Sequence, residues 1–421
     1  MNWRGHRTKN SVAANDVPSP VAGTSPASPC SGRTGPGVLE LFWALLVIGA
    51  SGFGMAMIET IRTTVVKRDW LSEEGVDEGL GVVQLYPGPM LVDLVALVGY
   101  RLGRIRGALA AAVGFLSPSL VLVLGLSWAY FRYGSSPATR DLAIGLDGLV
   151  VGVLASVTMD LGTKHARSRL GALLALGAFA VGLGGANVLW AVLGAFMVGA
   201  LMLRDKAKNE PAPNTLGKQS LRALALACVP GIVVVGGVVL AALASGALAA
   251  VSADMAKAGS VAFGNGAAIL PVLQQDVLAH HWMTSRQFEV GVAIGQITPG
   301  PVLTTAAFVG FAVAGWWGGL VGGIAVFAPS IAMTMIVGEV YPFLRRLRWL
   351  RGAIAGLLAS FTGLMANMVL TLGRPILSVP AALGLAAAAF VAVRVYRMHT
   401  LVVFAAGLAV WGAYLATGGP R

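Results

Sequence analysis

Residues 52–89 read GFGMAMIETIRTTVVKRDWLSEEGVDEGLGVVQLYPGP, and residues 264–301 read GNGAAILPVLQQDVLAHHWMTSRQFEVGVAIGQITPGP. Laid over each other without gaps, they share Gly52/Gly264, Gly54/Gly266, Ala56/Ala268, Val65/Val277, Trp70/Trp282, Gly79/Gly291 and Gln84/Gln296. They also share the triplets Pro87-Gly88-Pro89 and Pro299-Gly300-Pro301. After a slip of one residue the match continues with Gly99/Gly310 and with Pro118-Ser119/Pro329-Ser330. Ordered identities of this kind mark an internal duplication, and a duplication governs every later step of the reading.

The composition around these copies belongs to a membrane. Of 421 residues, 56% are hydrophobic and 11% charged, where a soluble chain carries about 25% charged residues. Mean hydropathy is +0.77. Such a chain lacks the polar surface to face water all round, which excludes a soluble enzyme, a disordered protein and a nucleic-acid binder despite a net charge of +12. The 56 glycines suit helices that pack backbone to backbone. Cys30 and Cys228 form no disulfide framework. The adjacent His280 and His281 lack the spacing that puts two metal ligands on one helix face, so no metal site is expected. No cofactor is expected, and nothing resembles a phosphate-cradling loop, which argues against intrinsic ATP drive.

Apolar runs long enough to cross a bilayer number about thirteen. They fall near 38–58, 79–100, 107–131, 141–160, 168–184, 186–203, 221–249, 253–275, 288–312, 314–338, 350–372, 375–393 and 399–416. The expected fold is therefore an all-α polytopic bundle. Residues 1–37, rich in Pro, Ser and Gly, read as a disordered tail. Residues 38–203 form a first repeat, 204–249 a basic loop with a linking helix, and 250–421 a second repeat. Most of the 30 basic residues fall on the N-terminal side if the N-terminus is cytoplasmic. Among them are Arg101, Arg104 and Arg106, Lys164 and Arg167, and Arg345 to Arg351. An odd number of spans between matching elements makes the repeats inverted, which is the plan of many secondary transporters. On this count the Trp70 loop lies outside and the Trp282 loop inside.

Two prolines remove two backbone donors, and the glycine between them loosens the chain, so each Pro-Gly-Pro should break its helix. Broken backbone at membrane depth is tolerated where protein or a water-filled cavity surrounds it. A helix restarting after Pro89 or Pro301 would aim its free amides and positive dipole end at the break, an anion site that needs no buried cation. Gln84, Gln296, Thr298, Thr304 and Thr305 flank the breaks as hydrogen-bonding candidates. Asp93 follows the first break by one turn, and the second copy has Thr304 or Thr305 there. Asp93 would repel a dianion unless protonated, so it either carries a proton or pairs with Arg101 or Arg104. Gly52, Gly54, Gly264, Asn265 and Gly266 suggest close backbone approach or a second break. Trp70 and Trp282 read as interfacial anchors ahead of helix caps at Ser72 and Thr284. Glu59, Asp147, Asp276, Glu339 and Asn367 lie in or near apolar runs without an evident partner.

The paired pattern resembles the chromate ion transporter family in its long, two-domain form. The resemblance rests on W-L-S-E-E at 70–74, Q-L-Y-P-G-P at 84–89, G-Y-R at 99–101 and P-S at 118–119. In the second half it rests on F-G-N-G at 263–266, H-W-M-T at 281–284, Q-I-T-P-G-P at 296–301 and P-S at 329–330. It implies a multi-pass plasma-membrane protein that exports chromate, with sulfate as the look-alike anion and the lipid bilayer as its other partner. The sequence leaves the oligomeric state open. An intramembrane enzyme is the rival reading, and no cluster of His, Asp or Glu with catalytic spacing supports it.

Overall fold

Apolar runs become helices, and the glycine and proline breaks between them decide where the chain turns. The computed structural model describes residues 36–52, 56–134, 137–203, 236–237, 246–264, 266–344 and 347–417. Gly54, Asn265, the tail up to residue 35 and most of the linking segment lie outside the described residues.

The first half runs α1 (Val38–Ser51), α2 (Ala56–Lys67), α3 (Glu73–Val83), a two-residue strand β1 (Gly88–Pro89), α4 (Met90–Tyr133), α5 (Pro137–His165), α6 (Arg169–Leu183) and α7 (Val188–Met202). The second half runs α8 (Gly246–Ser260), β2 (Phe263–Gly264), a 3-10 turn (Ala267–Ile269), α9 (Leu270–Ala279) and α10 (Ser285–Ile297). A 3-10 turn (Val302–Thr304) then leads into α11 (Thr305–Leu344), α12 (Arg348–Gly373), α13 (Pro380–Arg394) and α14 (Thr400–Ala416). The all-α membrane class stands. Long, apolar helical stretches able to cross a bilayer occur at Met90–Tyr133, Ile144–His165, Val302–Tyr341 and Trp349–Ser378.

Four of the expected crossings are instead arms of hairpins. Arg68, at the foot of α2, reaches Glu40 at the start of α1 (3.5 Å), so α1 and α2 fold back on each other. Lys257 of α8 bonds Asp276 of α9 at 2.8 Å, and His280 comes within 3.3 Å of Asp254. Arg101 donates to the Gly75 carbonyl at 2.7 Å and pairs with Glu78 at 3.2 Å, bringing the foot of α3 against residue 101. In the second half Gly291 packs on Phe308 and Gly295 on Thr305. The runs at 38–58, 79–100, 253–275 and 288–312 therefore reverse at their G-x-G or Pro-Gly-Pro break. A break that removes donors and stiffness permits a reversal as readily as a kink. The reversal also moves the Trp70 turn to the end of the molecule where α1 begins, correcting the expectation that it lies opposite the N-terminus.

A further reversal divides both long helices. Gly103 (φ −140°, ψ 21°) and Arg104 (φ 53°, ψ −144°) separate arms 90–102 and 105–133 of α4. Ala314 (φ −140°, ψ 28°) and Gly315 (φ 59°, ψ −145°) do the same in α11. Around each turn the backbones touch, Gly99 against Gly107 and Gly310 against Gly318, with no room for a side chain.

The hairpin ends are equally duplicated. Asp69 (φ 55°) and His281 (φ 54°) are left-handed. The Trp70 amide donates to the Val65 carbonyl and that of Trp282 to Val277, both at 3.0 Å. This is the Schellman helix end, in which the residue after the left-handed one packs on the residue five before it. It explains why Val and Trp recur together in both copies. Arg68 lies over the Trp70 ring at 5.1 Å, and His280 stacks on Trp282 at 4.8 Å. Trp70 is buried, so its role is to close the helix end rather than to anchor at a lipid interface. Ser72 and Thr284 cap the following helices as expected, with Thr284 in a full capping box.

The outer arms of α4 and α11 pack against each other at the centre. Leu124 lies on Gly319 and Leu120 on Gly323, so these matching helices run antiparallel. The α5–α12 pair does likewise, with Thr362 on Gly162 and Val151 on Gly373. Gly49 of α1 meets the Phe115 carbonyl, and Gly259 of α8 meets that of Val326. Without water to drive association, such close backbone contact supplies the packing energy. Leu122, Leu173, Trp190, Met197, Trp317 and Ile324 are left exposed on the outside.

Candidate functional site

Each Pro-Gly-Pro forms the inner tip of a hairpin, and each tip is met by the opposite half. Gly88 and Pro89 pair in parallel with Phe263 and Gly264 at the α8–α9 break. Gly300, at φ +110°, faces the Ser119 side chain of α4, which a Cβ there would approach to 3.0 Å. Glycine is required at 300 by its conformation, and a side chain at 88 would displace the Asp93 carboxyl, which folds back onto that α-carbon.

The helix starts behind the tips are uncapped. Pro89 and Pro301 occupy the N-cap positions of α4 and of the 3-10 turn before α11, and neither start has a side-chain cap. Prolines offer no capping oxygen, so amides of the first turn lack the partner that a helix start normally finds. These are groups an anion can engage.

Thr304 and Asp93 take matching places behind the two tips. The Thr304 hydroxyl donates to the Pro301 carbonyl at 2.9 Å and stands 3.3 Å from the Ser119 hydroxyl. Asp93 is faced by Ser330 and Thr334 of α11. Tyr86 bonds Thr334 across the halves at 2.6 Å. Thus Ser119 sits behind the second tip and Ser330 behind the first. The repeated Pro-Ser pair carried this signal in the sequence, yet only the crossing of α4 and α11 shows that these serines answer the opposite tip.

The remaining candidates separate by position. Thr305 donates to Val302 at 2.8 Å and packs on Gly295, holding the hairpin together. Thr298 ends α10 and is buried. Gln84, although it ends α3 beside the tip, is exposed, and Gln296 is half-buried. Among the described residues neither glutamine shows a hydrogen-bond partner. Gly52, Gly264 and Gly266 lie at the hairpin breaks, and Gly266 (φ +83°) packs on Leu303 just after the second tip.

Asp93 does not pair with Arg101, which is held by Gly75 and Glu78, nor with Arg104, which bonds Glu339 at 2.7 Å. Glu339 also accepts from Tyr100 at 2.9 Å. Asp276 pairs with Lys257, Asn367 packs on Gly182, and Glu59 is exposed. Asp147 lies 3.9 Å from Arg286, beside the buried Glu289, which the sequence reading passed over. Glu289 sits among apolar residues of α10, where only its contact with α5 distinguishes it.

Comparison with known proteins agrees with the duplicated plan. One family model, described as chromate transporter, matches residues 39–200 and again 249–412. The chain is 30% identical to a chromate transport protein of Cupriavidus metallidurans over 82% of its own length and 85% of the relative's. It is 30% identical to a probable chromate transport protein of Synechococcus elongatus over 80% and 84%. A chromate transport protein of Pseudomonas aeruginosa is 27% identical over 88% and 91%. No solved structure matches it significantly. With a family match in each half, covering both Pro-Gly-Pro hairpins, the chain belongs to the chromate transporter family.

Proposed function

We propose that the protein moves chromate outward across the plasma membrane as a secondary transporter. The observation that carries this reading is the pair of uncapped helix starts, each behind a Pro-Gly-Pro tip and each supplemented by a hydroxyl from the opposite half. The free amides are neutral donors suited to a tetrahedral oxyanion, which they bind without the desolvation cost of a buried cation. Gln84, Gln296, Thr298, Thr304 and the two triplets are the groups assigned to the path. The names of the relatives supply chromate in particular, and sulfate, of the same charge and shape, is the competing substrate.

If the dianion crosses as a uniport, its charge favours export. A dianion leaving an inside-negative cell at 100 mV gains roughly 4.6 kcal/mol. The cytoplasmic placement of the N-terminus is supported by Arg68, which reaches Glu40 at the start of α1, and by Arg101 and Arg104 flanking Gly103, which packs on Leu41 of α1. The same reading makes the halves an inverted repeat, supported by the antiparallel packing of α4 with α11 and α5 with α12.

The test is labelled-chromate uptake into everted vesicles, with sulfate competition and Gln296→Ala as a comparison. Uptake above empty vesicles that falls in Gln296→Ala is expected; vesicles with no uptake above background would refute the substrate. Orientation is checked with single cysteines at Glu73 and Ser285, which should label from opposite sides. Labelling from one side alone would refute the inversion.

A further inference from the structure

Asp93 is fully buried at the first Pro-Gly-Pro tip, and neither carboxyl oxygen has a hydrogen-bond partner among the described residues. The groups around it are Tyr86 and Gly88 from the tip and Ser330 and Thr334 from α11. Among the described residues Tyr86 is the only titratable one, and the neighbouring arginines are engaged elsewhere. Both hydroxyls have a backbone acceptor that competes with Asp93 for their proton. Ser330 donates to the Phe327 carbonyl at 3.1 Å, and Thr334 to the Ser330 carbonyl at 2.9 Å. With the Thr334 proton so placed, Tyr86 is the donor in their 2.6 Å bond.

What this pocket offers Asp93 is two hydroxyls whose protons backbone carbonyls take in this arrangement, and no counter-ion among the described residues. A carboxylate needs donors or a counter-ion, and lacking both at membrane depth it is strongly disfavoured. A carboxylic acid brings its own donor and can bond a hydroxyl oxygen. The second tip has the neutral equivalent built in, since Thr304 stands where Asp93 does and already reaches Ser119.

We propose that Asp93 is a proton-binding site, loaded in this arrangement, and that the anion passes the first tip only while the proton is held. An ionised Asp93 would repel a dianion at that tip, whereas the neutral acid adds one donor. The transport half of this statement rests on the function proposed above; the proton site does not. The sign is fixed by the chemistry. Flux is highest where Asp93 is protonated and falls as pH rises through its titration.

The experiment uses the full chain reconstituted in lipid vesicles. Infrared difference spectra of wild type against Asp93→Asn at neutral pH should show the C=O stretch of a protonated carboxyl belonging to wild type. Finding carboxylate bands there instead overturns the proton site, whatever is transported. Labelled-chromate flux is then measured against pH, each protein normalised to its own maximum. Because chromate also takes up a proton, the wild-type profile is divided by that of Asp93→Asn. The ratio should fall with rising pH, by at most about tenfold per pH unit for one proton. A flat ratio overturns the gating role. If Asn is not tolerated, Asp93→Thr, the residue type of the second copy, replaces it in both arms. Absence of chromate flux in wild type would refute the proposed substrate while the infrared arm still judges the proton site.

Discussion

The two halves agree in backbone far more closely than in side chains. The reversal at Gly103–Arg104 and that at Ala314–Gly315 match within 1° in two of their four dihedrals and within 7° in the other two. The left-handed residues Asp69 and His281 differ by 1° in φ. Yet Asp69 faces His281, Arg104 faces Gly315 and Asp93 faces Thr304 at matching positions. Duplication preserved the breaks that shape the hairpins, while the polar groups at those breaks diverged. An asymmetric site has been built on a nearly symmetric frame.

The largest test of this asymmetry exchanges its buried polar residues. Thr304→Asp places an acid behind the second tip with Ser119 as its nearest side-chain partner, and a buried unpaired charge costs several kcal/mol. It should sharply lower the yield of folded protein at neutral pH. Asp93→Thr, the reverse exchange, should fold. Equal yields would mean that the two pockets are equivalent.

The tryptophans come next. Trp70 is 7% exposed and Trp282 only partly buried. Trp70→Ala should cost about 3–5 kcal/mol, with Trp282→Ala costing less, as read from thermal unfolding in detergent. Equal losses would show that the Schellman contact outweighs burial.

The reversal turn gives a smaller contrast of opposite signs. Gly315→Ala forces a side chain into a glycine conformation and should cost about 1–3 kcal/mol. Arg104→Gly relieves that strain and loses an ion pair whose arginine is 71% exposed, a pair worth about 0–1 kcal/mol. Glu339 keeps its bond from Tyr100, so the substitution should be neutral or stabilising. A large loss would mean that the Arg104–Glu339 pair is essential to the turn. The smallest effects belong to the caps. Ser72→Ala and Thr284→Ala should each cost about 1 kcal/mol, with Thr284 the greater because its hydroxyl also donates to the Gln287 side chain at 3.2 Å.

Much of this architecture was readable in residue order. The helices at 107–131, 141–160, 168–184, 186–203 and 314–338 lie close to the observed ones because continuous apolar runs without prolines at their centres leave few options. Pro118 and Pro329 are the exceptions, tolerated inside their helices. The caps at Ser72 and Thr284 were readable for the same local reason. The direction of the chain after each break was not. A span broken at its middle and a hairpin with the break at its tip have the same hydropathy. The difference lies in contacts such as Glu40–Arg68 and Gly75–Arg101, between residues far apart in sequence. That error reversed the expected placement of the Trp70 turn.

Sequence alone determined that the chain is a duplicated helical membrane protein broken at two Pro-Gly-Pro sites, because composition, identity and missing backbone donors are properties of residue order. It also marked Asp93 against Thr304 or Thr305 as a position where the copies differ. Only the tertiary structure decided that each tip is completed by a serine from the other half, and that Asp93 has no basic partner among the described residues. Those facts depend on how α4 and α11 cross. The crossing is set by glycine-mediated packing between the halves, which no local pattern encodes.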